Sequence, residues 1–538
     1  MARALAAAIV VSLLAVSGAG GAGAQTPRKG GTVVFAQTPP EPACLNPFDE
    51  RCRPGTAQIT LGRIAARVLE APFDVGPDFT WRPRLVTSVE FTKKPPFTLT
   101  YHIRPEARWS DGRPITSRDF VFTHQALRKH GLPDDLHRTE VRSVRVIDAK
   151  TVKVVLRSRL AGWRGLFGSI LPRHALQGED LRAVWRDRID NPKTGEPIGS
   201  GPFLVERWER GKQITLRRNP RYWGQHPAYI ERLVIRFQVE GGALVDGFRS
   251  GEFDVAAGFP PSFFPAVKRE TGLRTFAFPG SGWDHFEIRI GPGGHQALKS
   301  KLVRRALAFG IDRGPLVRAM FGDIDPQARQ RDSVVYPTPS RYYRSNWNTY
   351  RYRPAEARRL LELAGCRRGA DGIYLCAGER LSLRFVAPVI PGGYRPRVVE
   401  LVQAQLRPAG VEVVPVFAPP PVIFNQILPS GAFDVALFSW NAGPDPTLKT
   451  IFGCGGFQNY TGYCQRLVTA DLDQAERILD ADQQARVLNR ADVQMAKDVP
   501  AIPLFEQPQW AALRSTVRNF APNSLDPLVN AEEWWLDR

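Results

Sequence analysis

The sequence predicts an α/β protein of at least two domains, and three observations carry that prediction. From Leu381 onward, short apolar runs alternate with amphipathic stretches about every 10–15 residues, the pattern of βαβ units around a largely parallel sheet. The earlier half reads instead as hairpins, with alternating runs on either side of turn residues. The third observation is an echo: "SGEFDVA" at Ser250–Ala256 returns 180 residues later as "SGAFDVA" at Ser430–Ala436.

The elements follow in order. Residues 1–24 read as a cleaved signal peptide, with Arg3 as positive n-region, Ala4–Val16 as apolar h-region and Ala22-Gly23-Ala24 as cleavage site. No Cys stands at that site, so no lipid anchor is expected and the mature chain is expected in the periplasm. A strand is predicted over Thr32–Gln37, followed by a Pro-rich loop, and another over Thr98–Ile103. "ITSRDFVFTHQALRK" reads as a helix capped by Thr116 or Ser117. Two hairpins follow, turning at Asp148–Lys150 and at Arg210-Gly211. "KLVRRALAFGIDR" is a helix. The βαβ series then runs "LSLRFVAPV", "RPRVVELVQAQLRPAG", "VEVVPVFAP", "PVIFNQILPSG" and "FDVALFSW" as strand, helix, strand, helix, strand.

Each copy of the echo closes a helical stretch at a Gly, Gly251 or Gly431, and opens a strand; Gly takes up the left-handed cap at no steric cost. Two readings stand: equivalent placement in two lobes, or convergence of αβ-loop chemistry. Ligands of open α/β sheets bind beyond the carboxyl ends of strands. Equivalent placement therefore turns the loops at Gly258–Pro261 and Trp440–Pro446 toward a shared cleft.

Composition narrows the function. Removing the signal peptide leaves about 510 residues, more than one core supports. The chain is 43% hydrophobic and 23% charged, as in folded proteins, with a net charge of +20. The Arg residues are scattered among acids, with no block of like charge, so a solvated basic surface is expected and no nucleic-acid partner. The six cysteines fall as Cys44/Cys52, Cys366/Cys376 and Cys454/Cys464, separated by 8, 10 and 10 residues. Three local disulfides are the economical connectivity of the roughly 15 possible. Zinc is disfavoured, since no C-x-x-C occurs and no His lies near any pair.

Nucleophile-elbow, zincin and P-loop motifs are absent, so no catalytic residue, metal or cofactor is expected. Binding fits better, because concave sites combine aromatic walls with a few convergent polar groups. "GSGWDHFEIRI" and "FSWNAGPDP" offer that mixture. The candidate ligand-binding residues are Trp440, Asn441, Asp445, Trp283, Gln37 and Gly258.

In chain order, "KGGTVVFAQ", "RWSDGRPITSRDFVFT", "GSGPFLVERWERGKQITLRRNPRYWG", "LVRRALAFGIDR" and "FDVALFSW" resemble signatures of the extracellular solute-binding proteins, family 5, the peptide/nickel/oligopeptide receptors of ABC importers. The resemblance runs from about residue 29 to beyond residue 440. It implies a type II periplasmic-binding-protein fold, with two lobes and three domains around a cleft crossed by hinge strands. Lobe one would combine 25–55, 199–271 and 496–538; residues 56–198 would form an extra domain on it; residues 272–495 would form lobe two. The chain would be a non-enzymatic, monomeric receptor that closes on a peptide or peptide-like solute and docks on membrane permease subunits. A sensor or chaperone on the same fold, or a binder of an opine or sugar, are the alternatives. Many peptide-binding relatives place an acid three residues after the loop Trp to hold an α-ammonium. Here that position is Gly443, and the nearest acid is Asp445. His and Met are not concentrated anywhere, which disfavours the nickel specialisation.

Overall fold

The two copies of the echo do the same mechanical task in two different sheets. In the computed structural model, which describes residues 26–537 apart from 55, 77, 130–136, 138, 391 and 524, Gly251 and Gly431 both end helical turns with left-handed φ of 85° and 72°. Phe253 and Phe433 are buried just after them. The Asp254 carboxylate accepts the backbone N–H of Val34 at 2.9 Å, and the Asp434 carboxylate that of Arg384 at 2.7 Å. Each acid thus fastens its turn to a neighbouring parallel strand, Thr32–Ala36 in one case and Ser382–Pro388 in the other. The expected signal peptide lies outside the described residues.

The first sheet has seven strands, in the order Leu273–Phe278, Gln509–Arg514, Val255–Ala257, Thr32–Ala36, Arg232–Arg236, Gln213–Arg218 and Phe203–Glu209. The second has five: Glu412–Ala418, Ser382–Pro388, Val435–Asn441, Gly282–Ile288 and Ala501–Glu506. A four-stranded antiparallel sheet, Val86–Phe91, Thr98–Ile103, Thr151–Leu156 and Val141–Val146, shares an apolar cluster with one face of the seven-stranded sheet. The hairpin turns and the helix Ser117–Lys129 fall where the sequence predicts.

Three differences from expectation have physical causes. The five-stranded sheet is mixed, because Gly282–Ile288 enters from the other sheet and must start at the edge that the parallel strands run toward. The stretch expected as one helix over "PVIFNQILPSG" holds a π turn at Ile423–Ile427. Pro429 has no N–H to return to the carbonyl four residues back, and the turn widens there. The chain crosses between sheets at 279–281 and 507–508, later than the divisions at 272 and 496. The strands Leu273–Phe278 and Gln509–Arg514 pair with each other along their whole length before both crossings.

The crossings lie against each other. A Cβ on Gly280 would fall 1.9 Å from the Gln507 carbonyl oxygen, so only Gly fits there; one on Gly282 would fall 2.6 Å from the Gln507 side-chain oxygen, which would have to swing aside. The Gln507 amide donates to Ser439 Oγ and Tyr394 Oη, both at 2.7 Å. Both hydroxyls converge on Asp284, fully buried, which also takes the Arg395 guanidinium at 3.0 Å. Burial and the Asp284 charge hold the Tyr394 phenol far above its ordinary pKa, so it stays a donor. The cysteines are paired as Cys44–Cys52, Cys366–Cys376 and Cys454–Cys464.

Candidate functional site

The ends of the two sheets that carry the crossings face one another, and the loops after Ala257 and Asn441 both leave from those ends. The long loop 442–448 carries Asp445 outward. Its Oδ2 accepts the indole N–H of Trp81 at 2.9 Å, and Trp81 belongs to a ribbon, Phe73–Val75 with Trp81–Pro83, on the opposite side. The backbone at Gly162 also closes on this carboxylate, with a Cβ position 4.0 Å from Oδ2. Nearby, the Ala161 N–H donates to the Glu476 carbonyl at 2.9 Å. At a third approach, a Cβ placed on Gly392 would lie 3.4 Å from Ser262 Oγ. The halves therefore meet on both sides of the crossings.

The electrostatics of this gap are set by two half-buried charges. Burial raises the Asp445 pKa, while the Trp81 hydrogen bond and the Arg164 charge pull it down; burial prevails. Arg164 lies over the Trp163 ring, 4.3 Å from its centroid, and burial is the main influence on it too, lowering its pKa against the opposing pull of Asp445. Tyr336 and Tyr342 lie within electrostatic range of this pair.

Trp440 is half-buried at the strand end, its indole N–H donating to Glu287 at 2.9 Å and its ring stacked on Tyr460 at 6.3 Å and 5°. Asn441 beside it is exposed. Gly258 is exposed as well, with a φ of 67°. Two expected ligand residues lie deeper. Trp283 sits directly across from Trp440 but is 2% exposed, packed between His285 and the Arg331 guanidinium. Gln37 is 1% exposed, its amide spent on Thr60 and Arg63. Both support the rim from beneath in this conformation. Trp81, Gly162 and Arg164 escaped the sequence reading: they come from turns and a short ribbon, between the strands Thr32–Ala36 and Phe203–Glu209, that show no periodic pattern.

What the arrangement offers is a closable gap with an acid, a base, an exposed amide and aromatic rings, and no nucleophile–base pair. Among known proteins, the profile for bacterial extracellular solute-binding proteins, family 5, matches residues 80–459. The oligopeptide-binding protein OppA of Mycobacterium tuberculosis (strain H37Rv) is 28% identical over 475 residues, 86% of this chain and 78% of that one. The dipeptide-binding protein of Escherichia coli (strain K12) is 21% identical over 467 residues, 80% of this chain and 81% of its own. The structure of the periplasmic EDTA-binding protein EppA superposes with a TM-score of 0.80 at 23% identity, covering 96% of this chain and 98% of that one. The oligopeptide-binding protein AppA from Bacillus subtilis, in complex with a nonapeptide, superposes at 0.70 with 19% identity, covering 95% and 100%. The fold is accordingly the α/β, type II periplasmic-binding-protein fold. With more than two thirds of its length matched by the family profile, the chain belongs to the bacterial extracellular solute-binding proteins, family 5.

Proposed function

We propose that this protein is the substrate-binding receptor of an ABC importer, holding a peptide or peptide-like solute in the gap between the two large sheets. The observation that carries the reading is the Trp81–Asp445 hydrogen bond, made by side chains from opposite sides of that gap. Asp445 takes the ammonium end of the solute in place of an acid at position 443. Asn441 pairs with an amide of its backbone, Trp440 lies along its apolar part, and Gly258 lets the opposite loop approach. Trp283 and Gln37 serve from below, stiffening the strand ends. Three bodies follow: the seven-stranded sheet, the inserted segment 56–198, and the part between the crossings. The solute enters an open form, and closure around it produces the shape that permease subunits accept. The receptor acts as a monomer in the periplasm after removal of residues 1–24, and performs no covalent chemistry.

The test is calorimetry with tri-alanine and other short peptides on the mature chain and its Trp440→Ala variant. The variant is expected to melt somewhat lower, since Glu287 loses the indole donor, yet to stay folded at 25 °C and bind at least about tenfold more weakly, as loss of a stacking wall entails. Equal affinity in both forms would remove the gap as the binding site.

A further inference from the structure

We infer that the solute is acidic, carrying at least one carboxylate beyond the single terminal one of an ordinary peptide; this rests on the gap being the ligand site. Arg164 is left there without an acid partner among the described residues, while the acids around it are already engaged. Asp445 is taken by Trp81, Asp78 by Arg82 at 3.5 Å, and Asp482 by Arg341 at 3.0 Å. Arg164 is half-buried against the Trp163 ring and makes no ion pair among the described residues.

The positive lining continues outward. A cavity of about 490 Å³ is walled by Arg341, Tyr342, Arg344, Asp482, Arg486 and Asn489. It opens at the seam between the halves: Tyr342 lies within electrostatic range of Arg164, and Arg341 within range of Asp78, both across the gap. Arg344 spends its guanidinium on the carbonyls of Arg341 and Tyr343, and Arg486 is exposed. Neither makes an ion pair among the described residues. A solute lying from Asp445 past Arg164 into this cavity therefore meets the paired Arg341 and Asp482 and, with Arg164, two further guanidinium groups, Arg344 and Arg486, that make no ion pair among the described residues. Guanidinium groups bind carboxylates through paired charge-assisted hydrogen bonds, and a half-buried one gains most from them. An acidic peptide and a free polycarboxylate share this chemistry.

Calorimetry on the mature chain with tri-glutamate, tri-alanine and citrate tests the inference. One acidic probe is expected to bind about tenfold or more tightly than tri-alanine at low salt, with the margin shrinking as salt is raised. Preference for tri-glutamate assigns the solute to peptides, and preference for citrate to free polycarboxylates. In Arg164→Gln the acidic probe is expected to weaken more than tri-alanine, which has a single terminal carboxylate to lose contact with, so that most of the margin disappears; Arg486→Gln reports the outer cavity with a smaller loss. Tri-alanine binding as tightly as both acidic probes, equal weakening of all probes in Arg164→Gln, or no binding of either acidic probe would overturn the inference. Those results leave the gap as the site wherever Trp440→Ala still weakens tri-alanine. An acid preference untouched by Trp440→Ala and Arg164→Gln alike would overturn both conclusions together.

Discussion

The indole N–H of Trp81 meets the carboxylate of Asp445 at 2.9 Å although 364 residues separate them in the chain. One partner lies on a short ribbon of the inserted segment, the other on the loop that follows Asn441. Under the proposed function this bond marks the shut form, and the solute would share the carboxylate with Trp81 or replace the indole.

Peptide affinity is expected to fall on acidification earlier than an ordinary aspartate would dictate. An ammonium group needs the ionised carboxylate, and burial has raised the Asp445 pKa, so protonation begins at a higher pH. Calorimetry of tri-alanine between pH 7 and pH 5 checks this. Asp445→Asn should bind about tenfold more weakly at pH 7 and lose the pH dependence. A profile that is flat in the parent protein, or equally steep in the variant, excludes Asp445 as the ammonium site.

The crossing at Gly280 allows no side chain. Gly280→Ala would put its methyl 1.9 Å from the Gln507 carbonyl oxygen, a backbone atom that cannot swing aside. We expect a loss of roughly 1–3 kcal/mol of stability, as in other overpacked sites. Gly168→Ala, which like Gly280 lacks a positive φ but has nothing within 4 Å of its Cβ position, controls for adding a methyl group alone. Thermal melts of the two variants decide the point: equal losses would mean that the crossings do not pack as closely as described.

Titration of the denatured, unreduced mature protein with a thiol reagent is expected to find no free thiol, since all six cysteines are paired. Each bond closes a short loop and contributes roughly 2–3 kcal/mol in the chain-entropy description. The bond Cys454–Cys464 braces the segment whose Tyr460 stacks on Trp440. Cys454→Ser/Cys464→Ser should therefore blue- or red-shift Trp440 emission as well as lower the melting temperature. Unchanged emission would separate the bond from the ring stack.

Sequence legibility followed the range of the interactions. The echo was readable because a left-handed Gly cap, a buried Phe and a strand-fastening Asp are all decided within seven residues. Short cysteine spacings were readable for the same reason. The depth of Trp283 was not legible, because alternation tells which face a strand residue takes but not what covers that face; here Arg331, from a distant loop, lies on the ring. Gln37 sits at the predicted strand end, yet Thr60 and Arg63 of the following helix absorb its amide. Trp81 and Arg164 reach the gap through the placement of a whole inserted segment, and no local pattern encodes that.

The inserted segment should also be the part that acid destabilises first. His124 and His137 are buried there side by side, with their Nδ1 atoms 3.1 Å apart. The Leu166 carbonyl can only accept, so His137 donates to it from Nε2 at 2.5 Å and must accept at Nδ1. His124 then donates from its own Nδ1, and the bond is lost once His137 takes a proton at its accepting Nδ1. Burial lowers both pKa values to about 4, against an unfolded value of about 6.5. The sign follows from proton uptake. Above pH 6.5 both rings are neutral whether folded or not, and stability is at its full value. Between about pH 6.5 and 4 the unfolded chain takes up protons that the folded one refuses, so stability falls as pH falls, by as much as about 1.4 kcal/mol per pH unit for each ring. Melts between pH 7 and pH 5 avoid most carboxylate titration. In that window the transition of the inserted segment should drop steeply in the parent protein and about half as steeply in His124→Gln, which removes one titrating ring and keeps a donor. Equal slopes in the two proteins would show that the pair does not govern acid sensitivity.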